Sequence, residues 1–291
     1  MVAGAPPLSP VNCSTEFLEA AMVSFLKALV YGAGGVVVVG MVALVALQER
    51  LVYVPVLPGL ARAYPITPAR LRLDYEDVFL HASDGVRLHA WFVKQSPWKP
   101  GPTVLFFQEN AGNIAHRLEF VRIMMQRLHC NVFMLSYRGY GESDGYPSQH
   151  GIIKDAQAAL DHLSQRTDID PSRIVVFGRS LGGAVGAMLA RNNPDKVSAI
   201  ILENTFTSIL DMAAMMFPFL KWFIGSNGPK GPKILNYFVR SPWSTIDIID
   251  KVSIHSPEIC CIDSSLTYFS YLSFILKVSS MQQIQKFHVP E

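Results

Sequence analysis

The residues best suited to chemistry in this 291-residue chain are Gly178-Arg179-Ser180-Leu181-Gly182-Gly183. They lie between an apolar run, Ile174 to Phe177, and a stretch of small residues compatible with a helix, Leu181 to Arg191. A serine with a glycine two positions before it and another two positions after, set between a strand and a helix, is the pattern of a nucleophile elbow. The turn is so sharp that a side chain at 178 or 182 would collide with the neighbouring helix or strand. The serine at its apex is held in a strained backbone conformation that lifts its hydroxyl clear of the sheet. The helix beginning at Leu181 offers an N–H and the positive end of its dipole where an oxyanion would form. A second N–H is expected from the loop after Thr103 to Phe107, Gln108-Glu109-Asn110-Ala111-Gly112-Asn113, and is assigned to Asn110. Asn110 and Asn113 also suit a turn and a cap for the helix near Ile114, and the two roles are compatible.

An activated serine needs a histidine base oriented by a carboxylate, in chain order Ser, Asp or Glu, His. Asp263, after the strand-like Ile259 to Ile262, and His288 near the terminus keep that order, although nothing around His288 reads as a sheet edge. The triad acid and base therefore stay unassigned, with these two as candidates. His150 and His162 read as solvent-facing helix residues. The four cysteines, Cys13, Cys130, Cys260 and Cys261, form no C-x-x-C pair, so neither a disulfide framework nor a zinc site is expected. The chemistry calls for no metal or organic cofactor.

These residues need a scaffold. Leu73 to Leu80 and Val86 to Val93 flank Ser83-Asp84-Gly85 and read as a hairpin. After a Pro-rich loop come the strand Thr103 to Phe107, a helix carrying Leu118, Val121, Met125 and Leu128, and the strand Asn131 to Leu135. A polar loop around Arg138 to Gly141 leads to a helix marked by Ala156, Ala159, Leu160 and Leu163, which Asp170-Pro171 closes off. Ile174 to Phe177 and Val197 to Leu202 are buried strands on either side of the helix at Leu181. Strands apolar on both faces and alternating with helices imply an α/β fold, a mostly parallel sheet covered by helices on both faces with an antiparallel start; its last strands are unassigned.

Half the chain is hydrophobic and only 16% is charged, against about a quarter in ordinary globular proteins. That composition excludes a disordered protein. The formal net charge of +2, without a block of basic residues, argues against a nucleic-acid partner. The apolar surplus concentrates in the twenty uncharged residues Ala28 to Leu47, long enough as a helix to cross a bilayer. A buried core helix would show a polar stripe, and a signal peptide would show a shorter apolar stretch and a small-x-small cleavage site. The organisation read from the sequence is a tail at 1–27, a transmembrane anchor at 28–47, a Pro-rich linker at 48–72, the α/β domain at 73–251 with a cap at about 205–243, and a divergent tail at 252–291. Arg50, Arg62, Arg70 and Arg72 follow the anchor and Lys27 alone precedes it, which places the body on the cytosolic side by the positive-inside rule.

Taken together, the Asn-Ala-Gly-Asn-Ile core within Phe107 to Arg117, Tyr137-Arg138-Gly139-Tyr140-Gly141, the elbow, and Glu203-Asn204-Thr205-Phe206 resemble the membrane-anchored α/β-hydrolase-domain proteins of the Bem-like, "wavy growth" group. The likeness is collinear from about Leu47 to Lys251. It implies a serine hydrolase on an α/β-hydrolase fold, in a family whose members resemble acyl esterases, acyl-protein thioesterases and serine peptidases. The family commonly has His-Gly where this chain has Gln108-Glu109, and a carboxylate there would oppose an oxyanion unless it points away. Family members carry the acid and base in Gly-containing loops, yet no glycine occurs from Pro232 to Glu291, and the change at about Val252 reads as a spliced or truncated C-terminus. Loss of a triad base costs on the order of 10⁶ in turnover, with ~10³–10⁴ over water remaining. The leading reading is a single-pass membrane hydrolase of ester or thioester acyl bonds, acting on an acyl ester or an acylated protein beside the lipid bilayer. The rivals are a catalytically silent membrane-anchored scaffold and a serine peptidase of the same fold.

Overall fold

The computed structural model describes residues 13–95, 101–216, 218, 239–249 and 259–262. Two units divide the chain, Met1–Gln48 and Glu49–Glu291. The first consists, in its described part, of helix α1 (Cys13–Val52), whose last residues belong to the second unit. The helix starts well before Ala28 and continues through Lys27 and Glu49, because its backbone bonds do not depend on the charge of the side chains they carry. Within it, Leu18–Gly40 is long and apolar enough to cross a membrane, and none of that window is buried.

The second unit is built on seven strands: β1 (Tyr75–His81), β2 (Arg87–Val93), β3 (Thr103–Phe107), β4 (Asn131–Leu135), β5 (Ile174–Arg179), β6 (Ala199–Glu203) and β7 (Ile259–Ile262). They form one sheet in the order β1-β2-β4-β3-β5-β6-β7. β1, β2 and β4 pair antiparallel, and every other pairing is parallel. β7 lies beyond Lys251, so the sheet continues into the stretch that the sequence reading sets apart as a tail.

Burial explains which runs became which strands. β1, on the edge, alternates exposed and buried positions toward its end, whereas β3 is buried throughout. Successive β3 side chains point to opposite faces. Val104 and Phe106 pack with Leu118, Val121 and Met125 of α2 (Leu118–Leu128). Leu105 and Phe107 face the other core, shared by α3 (Gln149–Ser164), α4 (Leu181–Asn192) and the short α6 (Thr245–Ile249). Between β6 and α6 the described residues include α5 (Ile209–Met216), in the region expected to form a cap. Ser148 accepts from the Gly151 N–H to cap α3, and Asp170 caps the single turn at Pro171–Arg173.

Candidate active site

The parallel strands end in register. Phe107 of β3 pairs with Gly178 of β5, Arg179 pairs with Glu203 of β6, and Glu203 pairs with Ile262 of β7. The loops following β3, β5 and β6 therefore gather along one edge of the sheet, where open α/β sheets bind their ligands.

Ser180 alone separates β5 from α4 and is partly exposed. Its φ of 53° and ψ of −115° are strained for a residue with a side chain. The conformation persists because the surroundings over-determine it: the Ser180 N–H donates to the Glu203 carbonyl (2.9 Å), and the Ser180 carbonyl accepts from the Gly183 N–H (3.0 Å). The glycines leave no alternative. A Cβ on Gly178 would collide with the Gly182 carbonyl oxygen, and one on Gly182 would collide with that of Phe107. Leu181 opens the helix, so its N–H is among the four that lack an intrahelical acceptor.

The loop after β3 shows a division of labour. The Asn113 side chain accepts from the Ala115 N–H and caps the following turn, while its amide donates to the carbonyls of Arg62 (3.1 Å) and Ala63 (3.4 Å). The Asn110 side chain donates to the Val52 carbonyl and accepts from the Tyr140 hydroxyl (2.9 Å). Both ends of that side chain hold the loop, so the oxyanion role expected of Asn110 would rest on its backbone N–H.

Glu109 is the residue expected to disturb this loop, and an ion cluster offsets its charge. One carboxylate oxygen lies 2.6 Å from Arg117 Nε, close as an ion pair although the N–H axis misses it, and the other lies 3.3 Å from Arg179 Nε. Arg179 also approaches Glu203 (3.7 Å). Two arginines and two glutamates thus balance beside the nucleophile, a compensation that no local pattern in the sequence reveals. Gln108 is fully buried, and neither atom of its amide has a hydrogen-bond partner among the described residues.

Two residues of the Tyr137–Gly141 motif have roles that the sequence did not show. The Tyr137 hydroxyl donates to the Gln108 carbonyl (2.9 Å), and Tyr140 reaches Asn110, both from the Tyr137–Gly141 loop. Burial pushes both phenols well above their ordinary range, so they stay protonated donors. The loop is held by Arg138, which pairs with the fully buried Asp155 (2.7 Å) and in bidentate fashion with Asp84 (2.9 and 3.0 Å). The repeated glycines and aromatics at 137–141 were visible, but their partners lie about thirty residues away in the chain. His150 is exposed, as expected. His162 is a correction: it is half-buried against the Phe133 ring (centroids 5.6 Å) and beside Arg166, because α3 turns that position towards the sheet. Cys130 is buried, and burial pushes its thiol to about 11, which removes it as a competing nucleophile. Asp263 and His288 lie outside the described residues, although Ile262, directly before Asp263, ends its strand on the same sheet edge as Ser180.

A mostly parallel sheet with an antiparallel start, helices on both of its faces and a strained serine at the β5–α4 turn defines the α/β-hydrolase fold. A family profile for that fold matches residues 104–226. The chain is 74% identical over 231 residues to the α/β hydrolase domain-containing protein WAV2 of Arabidopsis thaliana, covering 79% of this chain and 75% of WAV2. It is 40% identical to protein bem46 of Schizosaccharomyces pombe over 70% of this chain and 65% of that protein. An uncharacterized membrane protein of Saccharomyces cerevisiae is 39% identical, over 60% of this chain and 61% of its own length. The chain thus spans less than two thirds of the length of these last two relatives. Among solved structures, an α/β hydrolase from Vibrio vulnificus superposes with a TM-score of 0.50 at 25% identity, over 64% of this chain and 62% of that one. The chain belongs to the α/β-hydrolase family, in the group that includes WAV2 and bem46.

Proposed function

We propose that this protein is a membrane-anchored serine hydrolase in which Ser180 attacks the carbonyl of an ester or thioester acyl bond. The observation that carries this reading is the backbone of Ser180, strained at the one residue between β5 and α4 with a helix N-terminus directly after it. Strain of this kind clusters at active sites. In the proposed reaction the hydroxyl gives its proton to the base as its oxygen adds to the acyl carbon, and the oxyanion is held by the N–H groups of Leu181 and Asn110. The base returns the proton to the leaving group. The alcohol or thiol then leaves and water releases the acid. Asp263, next in the chain after β7, is the candidate orienting acid, with His288 as the candidate base. The length and apolar character of α1 and the membrane-protein relative in yeast support anchoring. The basic residues at and after the end of α1 support a cytosolic body.

A fluorophosphonate probe applied to the purified full chain in detergent tests the enzyme reading. Labelling should occur and should vanish in Ser180→Ala. Absence of labelling on folded protein would overturn it and favour a silent scaffold on the same fold.

A further inference from the structure

An oxyanion hole accelerates acyl transfer only if its donors are fixed before the charge develops. Leu181 is fixed by α4. The residues 108–112 have no regular secondary structure apart from a single bridge between Ala111 and Val54, so something else must hold them. The contacts come from two directions. From inside, Tyr137 holds the Gln108 carbonyl and Tyr140 holds the Asn110 side chain. From outside, the strap at the end of α1 closes over the loop: the Val52 carbonyl accepts from Asn110, and the Val54 carbonyl accepts from the Gly112 N–H (3.1 Å).

The same strap is tied down on its far side. Tyr53 is buried, its hydroxyl donating to Ser241 Oγ (3.0 Å) and accepting from the Trp243 indole N–H (2.9 Å). Ser241 and Trp243 bind in turn to Gln149 at the start of α3 (3.1 and 2.8 Å). The Val54 N–H faces the Tyr140 oxygen. Asn110 thus closes a ring that runs from the Val52 carbonyl through its own amide to Tyr140 and back to Val54. Val52 is the last residue of α1, and a helix's final carbonyls have no intrahelical donors, so this acceptor was open for capture.

From these contacts we infer that Asn110 and Tyr140 are positioning residues, and that the strap Val52–Val54 is the wall against which they set the oxyanion loop. The membrane-proximal segment is on this account part of the catalytic machinery rather than a passive tether. The inference rests on the serine-hydrolase reading and adds to it the residues that tune the transition state.

The test measures inactivation of the full chain by a fluorophosphonate, resolving the maximal rate constant from the concentration that gives half of it, alongside thermal melting. Tyr140→Phe removes one hydroxyl and keeps the ring, and should lower the maximal rate about tenfold with half-saturation and melting unchanged. Asn110→Asp keeps the acceptor for Tyr140 but loses the donor to Val52, and should lower the rate about a hundredfold. Asn110→Gln, the conservative variant that keeps both halves of the amide, should recover part of that loss. Unchanged rates in folded Tyr140→Phe and Asn110→Asp would overturn the inference while leaving the serine-hydrolase reading intact. An unlabelled wild-type chain would overturn both.

Discussion

Helices α1 and α4 are both apolar and both rich in glycine, yet the glycines have opposite meanings. In α1, a Cβ placed on Gly32, Gly34, Gly35 or Gly40 would meet nothing within 4 Å. In α4, a Cβ on Gly182, Gly183 or Gly186 would lie within 2.7 Å of a neighbouring atom. The first set leaves a smooth, narrow surface; the second lets a helix lie directly on the strands that aim Ser180. Composition alone does not distinguish them, because the space around a glycine belongs to the other elements and not to the helix.

The sharpest way to break this comparison is to add one methyl group at a time to α1, to α4 and to the end of β5 that leads into it. Gly178→Ala and Gly182→Ala drive Cβ into backbone, which cannot rotate away, and should cost more than ~4 kcal/mol. Loss of the cooperative melt of the hydrolase unit is the expected result. Gly183→Ala runs into the Thr205 side chain, Oγ1 first. It should cost about 2–3 kcal/mol, part of which Thr205→Ala should recover in a double-mutant cycle read by denaturant midpoints.

Acid sharpens the comparison by a different route. Arg138 holds Asp84, and Arg166 holds Asp168, well below the ordinary carboxylate range. Unfolded, these groups take up protons near pH ~3.9, so their stabilisation is full above about pH 4 and is lost as pH falls through the lower folded values. The residues 28–47 of α1 contain no titrating carboxylate or base. Between pH 5 and pH 3 the near-ultraviolet dichroism of the hydrolase unit should melt ~5–10 °C lower, while the helical signal contributed by α1 in detergent persists. Asp84→Asn combined with Asp168→Asn should flatten that slope. The smallest effects come last. Gly186→Ala is crowded by a single Val176 methyl at 2.7 Å, its other neighbours lying at ordinary contact distance, and should cost about 1 kcal/mol. Gly34→Ala should be neutral or add ~1 kcal/mol of helix preference without changing Ser180 labelling.

Much of the scaffold could be read directly. β3 and β4 fall on the residues expected, since five-residue apolar runs bounded by Pro, Gly or polar turns have few alternatives. The elbow was legible because its pattern is local: a side chain at 178 meets Gly182 and Ser180 is strained within one turn, although what a side chain at 182 would meet, the Phe107 carbonyl, lies on β3. The strand order was not, because the pairing of β2 with β4 rather than β3 depends on which faces the helices cover. Nor was the neutralisation of Glu109, whose partners Arg117 and Arg179 come from two separate elements.

Local sequence was enough to set the apolar helix, the alternation of strands and helices, and the serine at a turn too tight for side chains. Each of these follows from periodicity or from sterics between residues a few positions apart. Folding alone chose which glycines are indispensable, what balances Glu109, and which residues hold the oxyanion loop. Those depend on groups far apart in the chain, whose hydrogen bonds and excluded volume exist only after the sheet has brought them together.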